Sequence, residues 1–92
     1  MALNVPSLDL AISLTATQQE ILPNNPQRTY ALLVNDSDAV AYISLGKPAE
    51  ANRGIRLNAS GGSYEINLTN PYKGRIYAIS TGAAKTLLVV EW

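Results

Sequence analysis

The stretch RTYALLVNDSDAVAYISLG, residues 28–46, decides how the chain folds. It sets two apolar runs, residues 30–34 and 39–45, on either side of a short polar group. In the first run Tyr30, Leu32 and Val34 alternate with Thr29, Ala31 and Leu33, so side chains on both faces are apolar. Such runs are too short for a stable helix and are rich in β-branched and aromatic residues, which marks them as strands. Between them, Asn35, Asp36 and Asp38 bring side chains that bond their own backbone and tolerate left-handed geometry, which makes residues 35–39 a turn.

The same period of two extends in both directions. Leu8, Leu10, Ile12 and Leu14 alternate with smaller or polar residues, and a shorter strand is expected over residues 18–22. Ile55 and Leu57 alternate with Arg56 and Asn58. Tyr64, Ile66 and Leu68 alternate with Ser63, Glu65 and Asn67, the pattern of a half-buried strand. Residues 75–80 and 86–92 complete the set. The separators carry turn chemistry: PNNPQ (23–27), where proline lacks a donor; KPAEANRG (47–54), the longest loop; SGG (60–62), read as a tight hairpin; NPYKG (70–74); and TGAAK (81–85). This spacing predicts an all-β chain, a single small antiparallel β-sandwich or barrel of seven to eight strands. Residues 1–20 are read as an N-terminal arm or strand and residues 21–92 as the sandwich domain. Ala31, Leu33, Ala41 and Ile43 are read as outward-facing and therefore as covered by another subunit.

With 92 residues, the chain makes one domain with a thin core, and small domains of this kind usually need a disulfide, a metal or a partner. The sequence has no cysteine and no histidine, so oligomerisation or docking on a larger surface is the expected source of extra stability. Seven basic residues balance seven acidic ones, which disfavours nucleic acid as a partner, since its binding rests on phosphate neutralisation. No apolar run approaches the roughly 20 residues that span a bilayer, and residues 1–14 lack the basic flank of a signal peptide. The N-x-[ST] sequons at Asn35, Asn58 and Asn67 are read as chance.

Reactive chemistry finds little to build on. Lys47, Lys73 and Lys85 sit in turns, where a solvated ammonium keeps its proton and makes a poor base. Asp36 and Asp38 read as turn-capping residues, and ASGGSYE lacks the Lys-Ser/Thr pair of a phosphate loop. No catalytic, cofactor or metal residue is assigned. Tyr64, Tyr72 and Tyr77 are candidates for a sugar platform, but with no phenylalanine in the chain tyrosine and tryptophan must supply all aromatic packing. Trp92 is expected to pin the last strand. Lys47, Arg53 and Arg56 cluster around the long loop and form a candidate docking patch.

Three segments, NPQRTYALLVNDSDAVAYISLG, GIRLNASGGSYEIN and NPYKGRIYAISTGAAKTLLVVEW, together resemble small β-sandwich virion structural proteins of tailed bacteriophages. The shared order is an Arg before an apolar LLV-N strand, a VAYISLG-like strand, GI-L, a Gly-Ser turn into YEI, and G-IYAI into a final strand ending EW. It covers about residues 25–92. The resemblance implies a capsid decoration (cement) protein on the outer surface of the phage head, a homotrimer contacting itself and the major capsid protein. A tail, baseplate or fibre component and a virion-exposed carbohydrate-binding module are the alternatives. Interface residues expected on this reading are Leu8, Leu10 and Ile12 of the arm, Lys47, Arg53 and Arg56 of the loop, and Tyr72 and Trp92.

Overall fold

A computed structural model describes residues 8–92. Among them the chain forms eight strands and no helix: β1 (Leu8–Leu14), β2 (Gln19–Leu22), β3 (Ala31–Asn35), β4 (Ala41–Leu45), β5 (Ile55–Leu57), β6 (Ser63–Ile66), β7 (Ile76–Ser80) and β8 (Lys85–Glu91). They build two antiparallel sheets of four strands, ordered β1-β8-β3-β6 and β2-β7-β4-β5. The packed pair is a β-sandwich, the first of the two architectures that the strand spacing allows.

The pairing is nested. β1 pairs with β8, β2 with β7, β3 with β6 and β4 with β5. The chain therefore behaves as one long antiparallel ribbon whose two arms meet at the β4–β5 loop. Wrapping the ribbon brings β8 against β3 and β7 against β4, which is the strand order of a jelly roll. One consequence corrects the hairpin expected at SGG. β5 and β6 belong to different sheets, so residues 58–62 form a corner. Ser60 and Gly61 adopt φ of 61° and 113° there, and their amides donate to the Ser37 and Asn35 carbonyls at 2.8 Å. Asn35 holds the opposite side of this corner from within. Its buried amide donates to the Ala39 and Leu57 carbonyls at 2.7 and 3.0 Å. That accounts for the turn chemistry read at residues 35–39, and it leaves this sequon asparagine fully occupied.

Leu14, Leu22, Leu33, Ile43, Leu57, Ile66, Ile76, Leu87 and Val89 fill the space between the sheets, each at most 2% exposed. Each such side chain contributes roughly 1.5–3 kcal/mol by leaving water. Two sequence expectations fail here. Ala31, Leu33, Ala41 and Ile43 are not outward-facing; all four lie in the core at 0–1% exposure. An alternation with two apolar faces cannot say which face points inward, and the register with β8 decides it: Leu33 sits opposite Val89, while Leu32 sits opposite Val90. Leu68 does not continue the buried row of Tyr64 and Ile66. The strand ends at Ile66, Asn67 Oδ1 accepts the Thr69 and Asn70 amides at 2.9 and 3.0 Å, and the tight turn leaves Leu68 86% exposed.

The N-terminal strand is not a separate arm over the described residues. β1 runs antiparallel to β8 through seven register positions, from Leu8 opposite Glu91 to Leu14 opposite Lys85. Leu10 and Ile12 pack against the core and Leu14 is part of it. Residues 1–7, the rest of the expected arm, lie outside the described residues.

Candidate interaction surface

The two sheets differ on their outer sides. On the β2-β7-β4-β5 sheet, Tyr42 points outward between Ile79 and Arg56, yet it is only 7% exposed. The 47–54 loop folds back over it. Asn52, at φ 65°, accepts the Tyr42 O–H at 3.0 Å. Within the loop Ala49 is buried, and its amide donates to Gln18 Oε1 at 3.4 Å. Gly54 lies so close over the Ile43 carbonyl that a Cβ there would collide with it, and its φ of +80° favours glycine independently. This sheet carries its own cover.

The β1-β8-β3-β6 sheet has no such cover among the described residues. Its outer side is built in rows. Asp9, Val90, Leu32 and Glu65 lie side by side across the four strands, followed by Ala11, Leu88, Val34 and Ser63. At the end of the stripe, Tyr30 and Trp92 exchange backbone hydrogen bonds at 3.0 Å and stack with ring centroids 4.3 Å apart and planes 22° from parallel. The result is a two-strand apolar stripe (Tyr30, Leu32 and Val34 beside Leu88, Val90 and Trp92) flanked by Asp9 and the small Ala11 on one side and by Glu65 and Ser63 on the other. Leu88 is 37% and Trp92 55% exposed. An apolar centre with a polar rim is the layout of a protein–protein contact. At the rim, Glu65 accepts the Tyr30 O–H at 2.6 Å. That bond, with lesser help from desolvation and from the negative charge itself, raises the Tyr30 pKa above the ordinary phenol value.

The residues expected to form one interface are spread over the molecule. Leu8 is exposed at the start of β1, whereas Leu10 and Ile12 are half-buried against the molecule's own core. Tyr72 is also a packing residue. It leans on the core and donates its O–H to the Arg75 carbonyl at 3.0 Å. Tyr64 and Tyr77 do not join it in a platform: Tyr64 points into the sandwich opposite Leu33, and Tyr77 lies on the outer side of the other sheet opposite Ser44. Lys47, Arg53 and Arg56 are exposed, as a docking patch requires. Lys47 and Arg53 line a cleft of about 310 Å³ together with Ser44, Pro48, Glu50 and Gly54, and Glu50 lies 3.7 Å from Arg53. Arg56 stands beside Tyr42 on β5. Trp92 pins its strand as expected and also contributes the most exposed aromatic surface of the stripe.

Sequence reasoning missed one residue that organises this surface. Arg28 is 1% exposed. Its guanidinium donates to Glu91 at 2.6 Å, to the Tyr72 and Gly74 carbonyls at 3.1 and 2.9 Å, and to the Pro23 carbonyl at 2.9 Å. The available signal was an arginine immediately ahead of an apolar strand, paired with a glutamate in an otherwise apolar final strand. No group of three or more metal-ligating side chains occurs among the described residues. No family model, curated protein or solved structure matches the chain.

Proposed function

We propose that the protein is a non-enzymatic structural component of a tailed-phage virion, a decoration (cement) protein that sits as a homotrimer on the outside of the head and binds the major capsid protein. Two things support the reading: the resemblance of residues 25–92 to such proteins, and the uncovered apolar stripe on the β1-β8-β3-β6 sheet. The stripe is the observation that carries it. A domain of this size has little core to spare, yet six apolar side chains stand on its outer side, where an unpartnered sandwich would place polar ones. Covering that stripe with sister subunits or a shell protein supplies the stability that a disulfide or metal supplies elsewhere. The jelly-roll order is one that viral shell domains and lectins both use.

The test is the protein's position in a particle. Reconstruction of phage heads incubated with the purified protein is expected to show density on the outer lattice with contacts through the stripe. Failure to bind heads, together with a subunit that stays monomeric, contradicts the reading.

One observation favours a second reading, a virion-exposed carbohydrate-binding module: the stacked Tyr30–Trp92 pair with the Glu65 carboxylate beside it. Glycan-array binding that is lost in Trp92→Ala and kept in Tyr72→Ala would move the assignment to it.

A further inference from the structure

We propose that the chain joins copies of itself head to tail, with Trp92 of one copy seated in the cleft beside the 47–54 loop of the next. This rests on the reading of the protein as an assembly module and names the contact that would build the assembly.

The two surfaces fit each other in shape and charge. Trp92 is 55% exposed, and its stack on Tyr30 fixes the ring, so little freedom is lost when it docks. Tryptophan faces attract cations more strongly than any other aromatic ring. The cleft offers two, Lys47 and Arg53, with Pro48 as an apolar wall and Glu50 as an acceptor for the indole N–H. At about 310 Å³ it has room for one indole, being at the small end of the roughly 300–1,000 Å³ range of ligand pockets. Along the stripe the charge is of the opposite sign: Asp9 and Glu65 flank it and no Lys or Arg belongs to its strand rows, while Lys73, bonded to the Arg28 carbonyl, borders its Trp92 end.

Trp92 and the cleft belong to different sheets, so the complement of each lies on another molecule. Contact between unlike surfaces is heterologous and closes into a ring when its rotation allows. A two-fold contact of stripe on stripe would instead set two acidic rims against each other.

The experiment compares full-length wild type, Trp92→Ala, and the double variant Lys47→Glu/Arg53→Glu by light scattering across a concentration series. Circular dichroism and thermal unfolding confirm that each is folded, as expected for exposed positions. Loss of a central tryptophan raises the dissociation constant by about 30-fold or more, so each variant alone is expected to run as a monomer. Mixing the two is the decisive arm. One supplies an intact cleft and the other an intact Trp92, so the mixture forms a dimer and nothing larger. If wild type assembles while either variant keeps the wild-type mass, or if the mixture stays monomeric, this contact is wrong and the assembly reading stands. If wild type is itself a monomer at every concentration and binds no phage head, both fall.

Discussion

Arg28 Nε donates to Glu91 Oε2 across 2.6 Å, with side-chain exposures of 0% and 9%. The same guanidinium holds the Pro23, Tyr72 and Gly74 carbonyls, so one buried cation ties the last strand to two loops. Removing one partner of a buried pair leaves the other charged and unmatched, at a cost of about 3–5 kcal/mol. Glu91→Ala is therefore expected to lose that much in urea unfolding, a large share of the ~5–15 kcal/mol that stabilises a typical domain. A loss below about 1 kcal/mol would show that the pair is not what closes this end of the sandwich.

Leu87 and Leu88 are neighbours in sequence with opposite fates. Leu87 is fully buried and Leu88 is 37% exposed on the stripe. Leu87→Ala is expected to cost about 2–5 kcal/mol through lost burial and a residual cavity. Leu88→Ser in the isolated subunit is expected to stay within roughly 0.5 kcal/mol of wild type. Equal losses at the two positions would mean that the face assignment is wrong.

The Lys85 ammonium lies 2.6 Å from Asp38 Oδ1. That hydrogen bond, then the positive charge, lowers the Asp38 pKa below the ordinary carboxylate value. A lowered folded-state pKa stabilises the fold above the unfolded value of about 3.9, and the contribution disappears as pH falls through the folded value. Asp38→Asn is thus expected to lower stability slightly at neutral pH, where the contribution is present and kept small by exposure and screening, and to converge on wild type as pH falls below about 4, which flattens the acid limb. Thermal midpoints between pH 2 and 7 test this; an unchanged acid limb would rule it out.

Deleting residues 8–14 removes the neighbour of β8 and uncovers the Leu87 and Val89 row. The shortened chain is expected to lose its cooperative unfolding transition or to aggregate. A deletion product that unfolds at the wild-type urea midpoint would restore these residues to the status of a detachable arm.

The strands were legible because each carries a period of two, and the turns because Asn, Asp, Gly and Pro sit where the chain reverses. What could not be read was the side on which each strand faces its neighbour. Residues 30–34 are apolar on both sides, so alternation alone does not separate Leu33 from Leu32; only pairing with β8, more than fifty positions away, does so. The same non-locality hid the corner at residues 58–62, since a glycine-rich turn looks alike whether it joins neighbours in one sheet or crosses between two. Lys47 and Arg53 were legible as surface residues because a charged head stays solvated, whereas nothing in the chemistry of Trp92 foretold its 55% exposure. Tyr72 could not be assigned a side from sequence, because a tyrosine beside a turn can equally well pack inward, as its contact with the core shows. Arg28 was overlooked because an arginine is ordinarily solvated, and its burial depends on a glutamate at the far end of the chain.

The central claim is that the outer side of the β1-β8-β3-β6 sheet is covered by other protein. Solution mass by light scattering, with wild type and Leu88→Lys side by side, tests it most directly. The account predicts a wild-type particle of three times the 9.9 kDa subunit mass and a folded, monomeric Leu88→Lys. A wild type that remains a stable monomer at all concentrations and binds no phage head, or a variant that assembles unchanged, would contradict it.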